Sequence, residues 1–191
     1  MKKDIILCGV GGQGILSIAT VIGEAATAAG LYLKQAEVHG MSQRGGDVQS
    51  HLRLSTEPIF SDLIPLGGAD LIISMEPMEA LRYLPWLRAD GTVVTASRPL
   101  VNIPDYPEEA ALREELAKLP HLLCEDIDAM AVKAGNPRGA NMALLGLAAD
   151  SLEIVSRPAL REALKRVFAS KGEAVVEMNL KCFDALNIFV K

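Results

Sequence analysis

Ile5-Ile6-Leu7-Cys8-Gly9-Val10 is a short, nearly unbroken apolar run, and Gly11-Gly12-Gln13-Gly14 follows it directly. A run of this kind bounded by turn residues predicts a strand buried on both faces. Beyond Gly14, the residues Ile15, Ile18, Ala19, Ile22 and Ala26 recur at helical spacing to about Ala29, and Gly30 stands where a C-cap glycine would. Leu31 to Val38 reads as a second strand. A strand, a glycine-dense turn, a helix and another strand in immediate succession commit the chain to an α/β fold. In parallel sheets such a unit is right-handed.

The pattern changes after a polar, glycine-rich loop, His39 to Gly46. Val48, Ser50, Leu52 and Leu54 alternate with Gln49, His51, Arg53 and Ser55, the period of two of a half-exposed strand. Such a strand belongs in an antiparallel position or at a sheet edge, so the sheet is expected to be mixed. Residues 71–75 and 92–96 are further buried strands, and Leu122-Leu123-Cys124 is a fifth core strand. Between them, Pro77 opens a short helix ending near Leu84-Pro85, and Pro107 opens one that runs through Leu119. Helices are expected over 127–134, 140–149, 158–170 and 173–189. At roughly 100–200 residues per domain, the 191 residues make one domain. The expected architecture is a three-layer α/β/α, Rossmann-like domain over 1–191 around a mostly parallel sheet.

Composition narrows the function. Hydrophobic residues are 50% and charged residues 23%, which excludes a disordered or fibrous chain. Nineteen Lys and Arg against 24 Asp and Glu leave a net charge of −5, with no footprint for nucleic acid or anionic lipid. Cys8, Cys124 and Cys182 lie far apart with no CxxC pair, so this chain alone supplies neither a zinc knuckle nor the ligands of an iron–sulfur cluster. So sparse and odd a count fits a reducing cytoplasm. Lys2-Lys3 before an apolar stretch mimics a signal peptide, but Asp4 and the glycines of the turn interrupt it. No later run reaches the ~18 apolar residues of a membrane helix, and a cytoplasmic protein is expected.

Gly9-Val10-Gly11-Gly12-Gln13-Gly14 fits G-x-G-x-x-G between a strand and a helix. There glycines let the backbone approach a phosphate, and the helix N-terminus offers free N–H groups. The same glycines also serve a plain helix–strand packing turn. A nicotinamide site needs an acid at the end of the second strand, and Glu37 meets that test by position. In the second loop Arg44 is the one certain cation, beside Gly45-Gly46, where backbone N–H groups can converge on an anion. A subunit-contact role suits the same loop, and His39 there is a solvated group or a proton carrier. In a third segment, Gly135 to Met142, Asn136 or Asn141 is expected to cap the following helix, or else to reach the ligand.

The sequence holds no G-x-S-x-G, HExxH or GxxxxGK[ST] signature. His51 and His121 have no evident partner in sequence, and Cys8 reads as inert packing in the first strand. As a self-sufficient enzyme the chain looks incomplete.

GVGGQG over Gly9–Gly14 and EVHGMSQRGG over Glu37–Gly46, with the late GNPRGANM segment, resemble the gamma subunit or domain of the 2-oxoacid:ferredoxin oxidoreductases. Within that family the likeness is to the small, beta subunit of the indolepyruvate enzymes, and it covers essentially the whole chain. The resemblance implies a hetero-oligomer in which a large alpha subunit carries thiamine diphosphate and iron–sulfur clusters and this chain carries neither. It implies oxidative decarboxylation of an arylpyruvate to an acyl-CoA, with electrons passing to ferredoxin. It further implies that Gly9, Gly11, Gly12, Gln13 and Gly14 hold the CoA pyrophosphate. Arg44 would be a second phosphate contact oriented by Ser42 and Gln43, and Gly45, Asn136 and Asn141 complete the candidate binding residues. A purely structural assembly subunit, and a free-standing NAD or FAD enzyme using Glu37, stay open beside it.

Overall fold

The computed structural model of the chain describes residues 1–39 and 46–186. Its strands are β1 (Lys2–Val10), β2 (Tyr32–His39), β3 (Asp47–Ser55), β4 (Ala69–Ser74), β5 (Leu87–Ala96) and β6 (Leu122–Glu125). They form one sheet in the order β2-β3-β1-β4-β5-β6. Among these, β3 runs antiparallel to both its neighbours, and the other pairings are parallel. The helices are α1 (Ile15–Ala28), α2 (Pro77–Arg82), α3 (Glu109–Ala117), α4 (Ile127–Lys133), α5 (Ala140–Ala148), α6 (Arg157–Phe168) and α7 (Glu173–Phe183). None is long and apolar enough to cross a membrane.

The pleat of β1 divides the core in two. Ile5 and Leu7 point into a large cluster with α1, α4, α5, α6 and α7, whereas Ile6 and Cys8 point into a smaller one with Ala80 and Tyr83 around α2 and Leu116 of α3. This is the expected three-layer arrangement around a mostly parallel, mixed sheet. Burial of side chains such as Ile18 and Ile22 of α1 stabilises the fold by ~1.5–3 kcal/mol each. At the end of α1, Gly30 has φ 72°; its N–H reaches Thr27 O, and that of Leu31 reaches Ala26 O. Those two bonds are the Schellman pattern expected of a C-cap glycine.

Three expectations are corrected. Strand β3 is antiparallel, one of its two expected placements, but it is not half-exposed: it lies between β1 and β2 and so splits the β1–α1–β2 unit. Its polar positions are used internally rather than solvated. Arg53 forks onto the fully buried Asp4, Nε to Oδ1 at 2.9 Å and Nη2 to Oδ2 at 3.0 Å, and donates to the carbonyls of Ser61 and Leu63. His51 is buried, accepts the Ile64 N–H at Nδ1 and meets Trp86 edge-on. Burial, with the charge of Arg53, holds the His51 pKa below its usual value. Second, β6 is an edge strand, half-buried in alternation rather than core. Third, α3 spans Glu109–Ala117 rather than 107–119, and α7 ends at Phe183, with residues 187–191 outside the described residues.

The helical layer is tight where α5 meets α7. A Cβ on Gly146 would stand 1.9 Å from the Phe183 carbonyl oxygen. Glycine to alanine inside a helix normally gains about 1 kcal/mol. Here overpacking against backbone reverses the sign, and Gly146→Ala is expected to lose ~1–3 kcal/mol in urea unfolding. A stabilised variant would show that α7 docks more loosely.

Candidate functional site

Strands β1 and β4 are parallel neighbours, but the chain leaves them on opposite faces, into α1 and α2. Their carboxyl ends therefore splay into the crevice where ligands of open α/β sheets bind. The Gly9–Gly14 turn stands at this point. The Gln13 side chain closes it: Oε1 accepts the Val10 N–H at 2.7 Å, and Nε2 donates to the Met75 carbonyl, beyond β4, at 3.2 Å. Gln13 N–H also bonds Val10 O, and Met75 N–H bonds Cys8 O. Gln13 thus ties the two strand ends together.

Two glycines of the turn carry distinct demands. Gly14 has φ 84°, and a Cβ there would lie 2.6 Å from Asn141 Nδ2. Gly12 has φ 103° and faces open space. Gly9 is inside β1, packed on Gln13 and Met75. Gly11 donates its N–H to Gly46 O at 2.8 Å, which brings the end of the second glycine-rich loop to the turn. Among the described residues, the N–H groups of Gly12, Gly14, Ile15 and Leu16 meet no acceptor. They border a cavity of about 320 Å³, lined also by Val10, Gly11 and Val48. Unpaired donors at a helix N-terminus, with its partial positive charge, suit an anion.

Asn141 is at the site and Asn136 is not shown there. Neither caps α5, whose N-cap is Gly139. From inside the first turn, Asn141 Oδ1 accepts the Met142 N–H, while Nδ2 donates to Gly14 O at 3.3 Å across the interface with α1. The Asn136 carbonyl accepts from Gly139 N–H and Cys182 Sγ, which turns it toward α7. Ser42, Gln43, Arg44 and Gly45 lie outside the described residues, as does the His39 side chain. Glu37 is level with Leu7, through Ser50 of the intervening β3. Two strand spacings, ~10 Å, separate it from β1. A dinucleotide site would need β2 beside β1.

Below the turn, on the α2 face, is a buried acidic group that sequence patterns did not single out. Glu76 caps α2 by accepting the Glu79 N–H, and it also accepts from Leu100 N–H and Tyr106 OH. Asp47 Oδ2 accepts Tyr83 OH at 2.6 Å, and Glu79 Oε2 accepts Arg82 Nε at 2.8 Å. Burial, reinforced by the Asp47 carboxylate against the pull of Arg82, pushes the Glu79 pKa up to about 7. Burial also pushes up Cys8, Tyr83 and Tyr106, and Cys8 is inert packing as expected. The available signal was Glu76-Pro77, an acid before an N1 proline at the end of a buried strand.

Residues 4–186 match the family model described as pyruvate ferredoxin/flavodoxin oxidoreductase. The chain belongs to this family. A relative from Pyrococcus horikoshii, named indolepyruvate oxidoreductase subunit IorB, is 37% identical over 96% of this chain and 94% of its own length. A solved gamma subunit of a keto/oxoacid ferredoxin oxidoreductase from Geobacter sulfurreducens superposes with a TM-score of 0.68 at 25% identity, covering 96% of this chain and 95% of that one. A 2-oxoglutarate:ferredoxin oxidoreductase from Magnetococcus marinus, solved with 2-oxoglutarate, coenzyme A and succinyl-CoA bound, has a TM-score of 0.74 at 22% identity. It shares the fold over 96% of this chain, which spans 30% of that longer one.

In this member of the pyruvate ferredoxin/flavodoxin oxidoreductase family, Gln13→Ala strips partners from Val10 N–H and Met75 C=O. The expected loss is ~1–3 kcal/mol against urea. A loss under about 0.5 kcal/mol would mean that water replaces the side chain at no cost.

Proposed function

We propose that this chain is the small, non-redox subunit of an indolepyruvate, or arylpyruvate, ferredoxin oxidoreductase in the cytoplasm. On this reading it holds the phosphates of CoA at the Gly11–Gly14 turn and helps close the active site of a large alpha subunit. That partner carries thiamine diphosphate and iron–sulfur clusters, and the complex passes electrons to ferredoxin. The overall reaction converts an arylpyruvate and CoA into an aryl-acetyl-CoA and carbon dioxide. Thiamine diphosphate supplies the electron sink for decarboxylation, and this chain contributes positioning.

The observation that carries the CoA assignment is the row of N–H groups at Gly12, Gly14, Ile15 and Leu16, unpaired among the described residues, beside a cavity between the glycine turn, the start of α1 and Val48 of β3. An anion there receives several donors and the dipole of α1 without any cation from the turn itself. Ile15, Leu16 and Val48 add an apolar wall for the rest of the ligand. Arg44, with Ser42, Gln43 and Gly45, supplies the second phosphate contact; Gly46, next in the chain, accepts the Gly11 N–H. Gln13 and Asn141 position the turn from behind. The full-length likeness to a subunit named for indolepyruvate supports the substrate class. The strand between Glu37 and β1 weighs against a nicotinamide site.

Gly12→Val tests the assignment: the side chain meets open space, and because it also strains the backbone at φ 103°, urea unfolding of the variant is measured alongside. In the assembled complex it is expected to raise KM for CoA by about tenfold or more, equivalent to ~1.4 kcal/mol, while assembly persists. Arg44→Ala should do the same. CoA kinetics unchanged in Gly12→Val would leave the turn an assembly role alone.

A further inference from the structure

The acidic group on the α2 face is connected to the glycine turn by a short path. Asp47 is the ladder partner of Val10, and Gly46 immediately before it accepts the Gly11 N–H at 2.8 Å. On its other side, Asp47 Oδ2 accepts Tyr83 OH from the residue following α2, and Oδ1 is buried with no partner among the described residues. Glu79, on α2 and 1% exposed, lies close enough to Asp47 for the two carboxyl groups to interact directly. Among the described residues, the cation that acts on both carboxyl groups is Arg82, which pairs with Glu79 and is itself half in solvent. Two such groups in contact cannot both ionise without strong repulsion.

We propose that Asp47 and Glu79 form a one-proton latch: a proton shared between them clamps the start of β3 to α2 and, through the Gly46–Gly11 hydrogen bond, fixes the glycine turn. Loss of that proton sets two buried carboxylates against each other and frees the turn. Asp47 and Glu79 are thus positioning residues, whatever ligand the turn receives.

Among the described residues of this cluster, Glu79 is the group whose pKa lies near neutrality. Facing Glu79 are Cys8 from β1, Tyr83 after α2 and Tyr106 before α3, all raised by burial and therefore neutral. Arg82 is raised by its bond to Glu79 and stays charged. Glu76 is engaged by Leu100 N–H, Tyr106 OH and Glu79 N–H. Glu79 itself moves from 4.5 to about 7. Its folded pKa is raised, so the closed latch binds the proton more tightly than the open one. Closure is therefore favoured most below pH 4.5 and weakens as pH climbs to about 7. With these values, opening becomes about tenfold more favourable between roughly pH 6 and 8.

Residue-resolved amide hydrogen exchange on the full chain, with no CoA added, tests the latch apart from the CoA assignment. After correction for intrinsic exchange, protection of the Gly11 N–H should fall about tenfold over that interval in the native protein. It should stay level in Glu79→Gln, whose amide reproduces the protonated carboxyl toward both Asp47 and Arg82. Asp47→Asn provides a second variant should Glu79→Gln not fold, and it should move the fall to lower pH. Native protection that does not change with pH, or a fall identical in the native protein and either variant, overturns the latch.

Discussion

One side chain, Gln13, holds two backbones that the topology drives apart. Strands β1 and β4 are hydrogen-bonded neighbours, yet α1 and α2 leave them on opposite faces of the sheet. At such a divergence the terminal N–H and C=O groups of each strand lose their ladder partners, and a buried group left unpaired is costly. Gln13 answers the Val10 N–H with one end of its amide and the Met75 carbonyl with the other. With those ends fixed, the glycines turn tightly enough to start α1 with its first N–H groups still unclaimed. The cavity, the Gly46–Gly11 contact and the Asn141 contact to Gly14 are all referred to this clasp.

Local chemistry was readable in the sequence and long-range substitution of partners was not. The β1–turn–α1 unit, its Schellman end at Gly30 and the helical layer follow from apolar spacing and glycine placement, because neighbours in sequence determine them. The position of β3 escaped, since His51 and Arg53 look like solvated residues and instead meet Ile64 and Asp4 from distant segments. Insertion of β3 also carries Glu37 away from the turn, which no spacing rule along the chain reveals. At the candidate site, the glycines and Asn141 were legible as residues to watch, but Gln13 was expected to face a ligand and is occupied by backbone on both sides. Glu76, Glu79 and Asp47 carried no spacing signature, because their proximity arises from β3 and α2 meeting under β1.

An anion site above buried carboxyl groups needs an electrostatic account. Glu76 spends its charge on three donors: Glu79 N–H, Leu100 N–H and Tyr106 OH. Burial raises the Glu79 pKa to about 7, so the negative charge facing the turn near neutrality is smaller than the count of acids suggests. In the proposed site the N-terminus of α1 provides the local positive potential, so the phosphate of the proposed ligand meets oriented dipoles rather than a competing carboxylate. In the proposed complex this division leaves redox chemistry to the large subunit and leaves geometry to this chain.

On the proposed reading, this chain works only as part of a larger oxidoreductase. Anaerobic affinity capture of the tagged chain from its native extract tests that most directly, with the partner's mass, iron–sulfur absorbance and thiamine content recorded together. The expected result is one large, brown, thiamine-containing partner. A colourless chain recovered alone with a stoichiometric bound nucleotide would contradict it, and the glycine turn would then be an ordinary dinucleotide site.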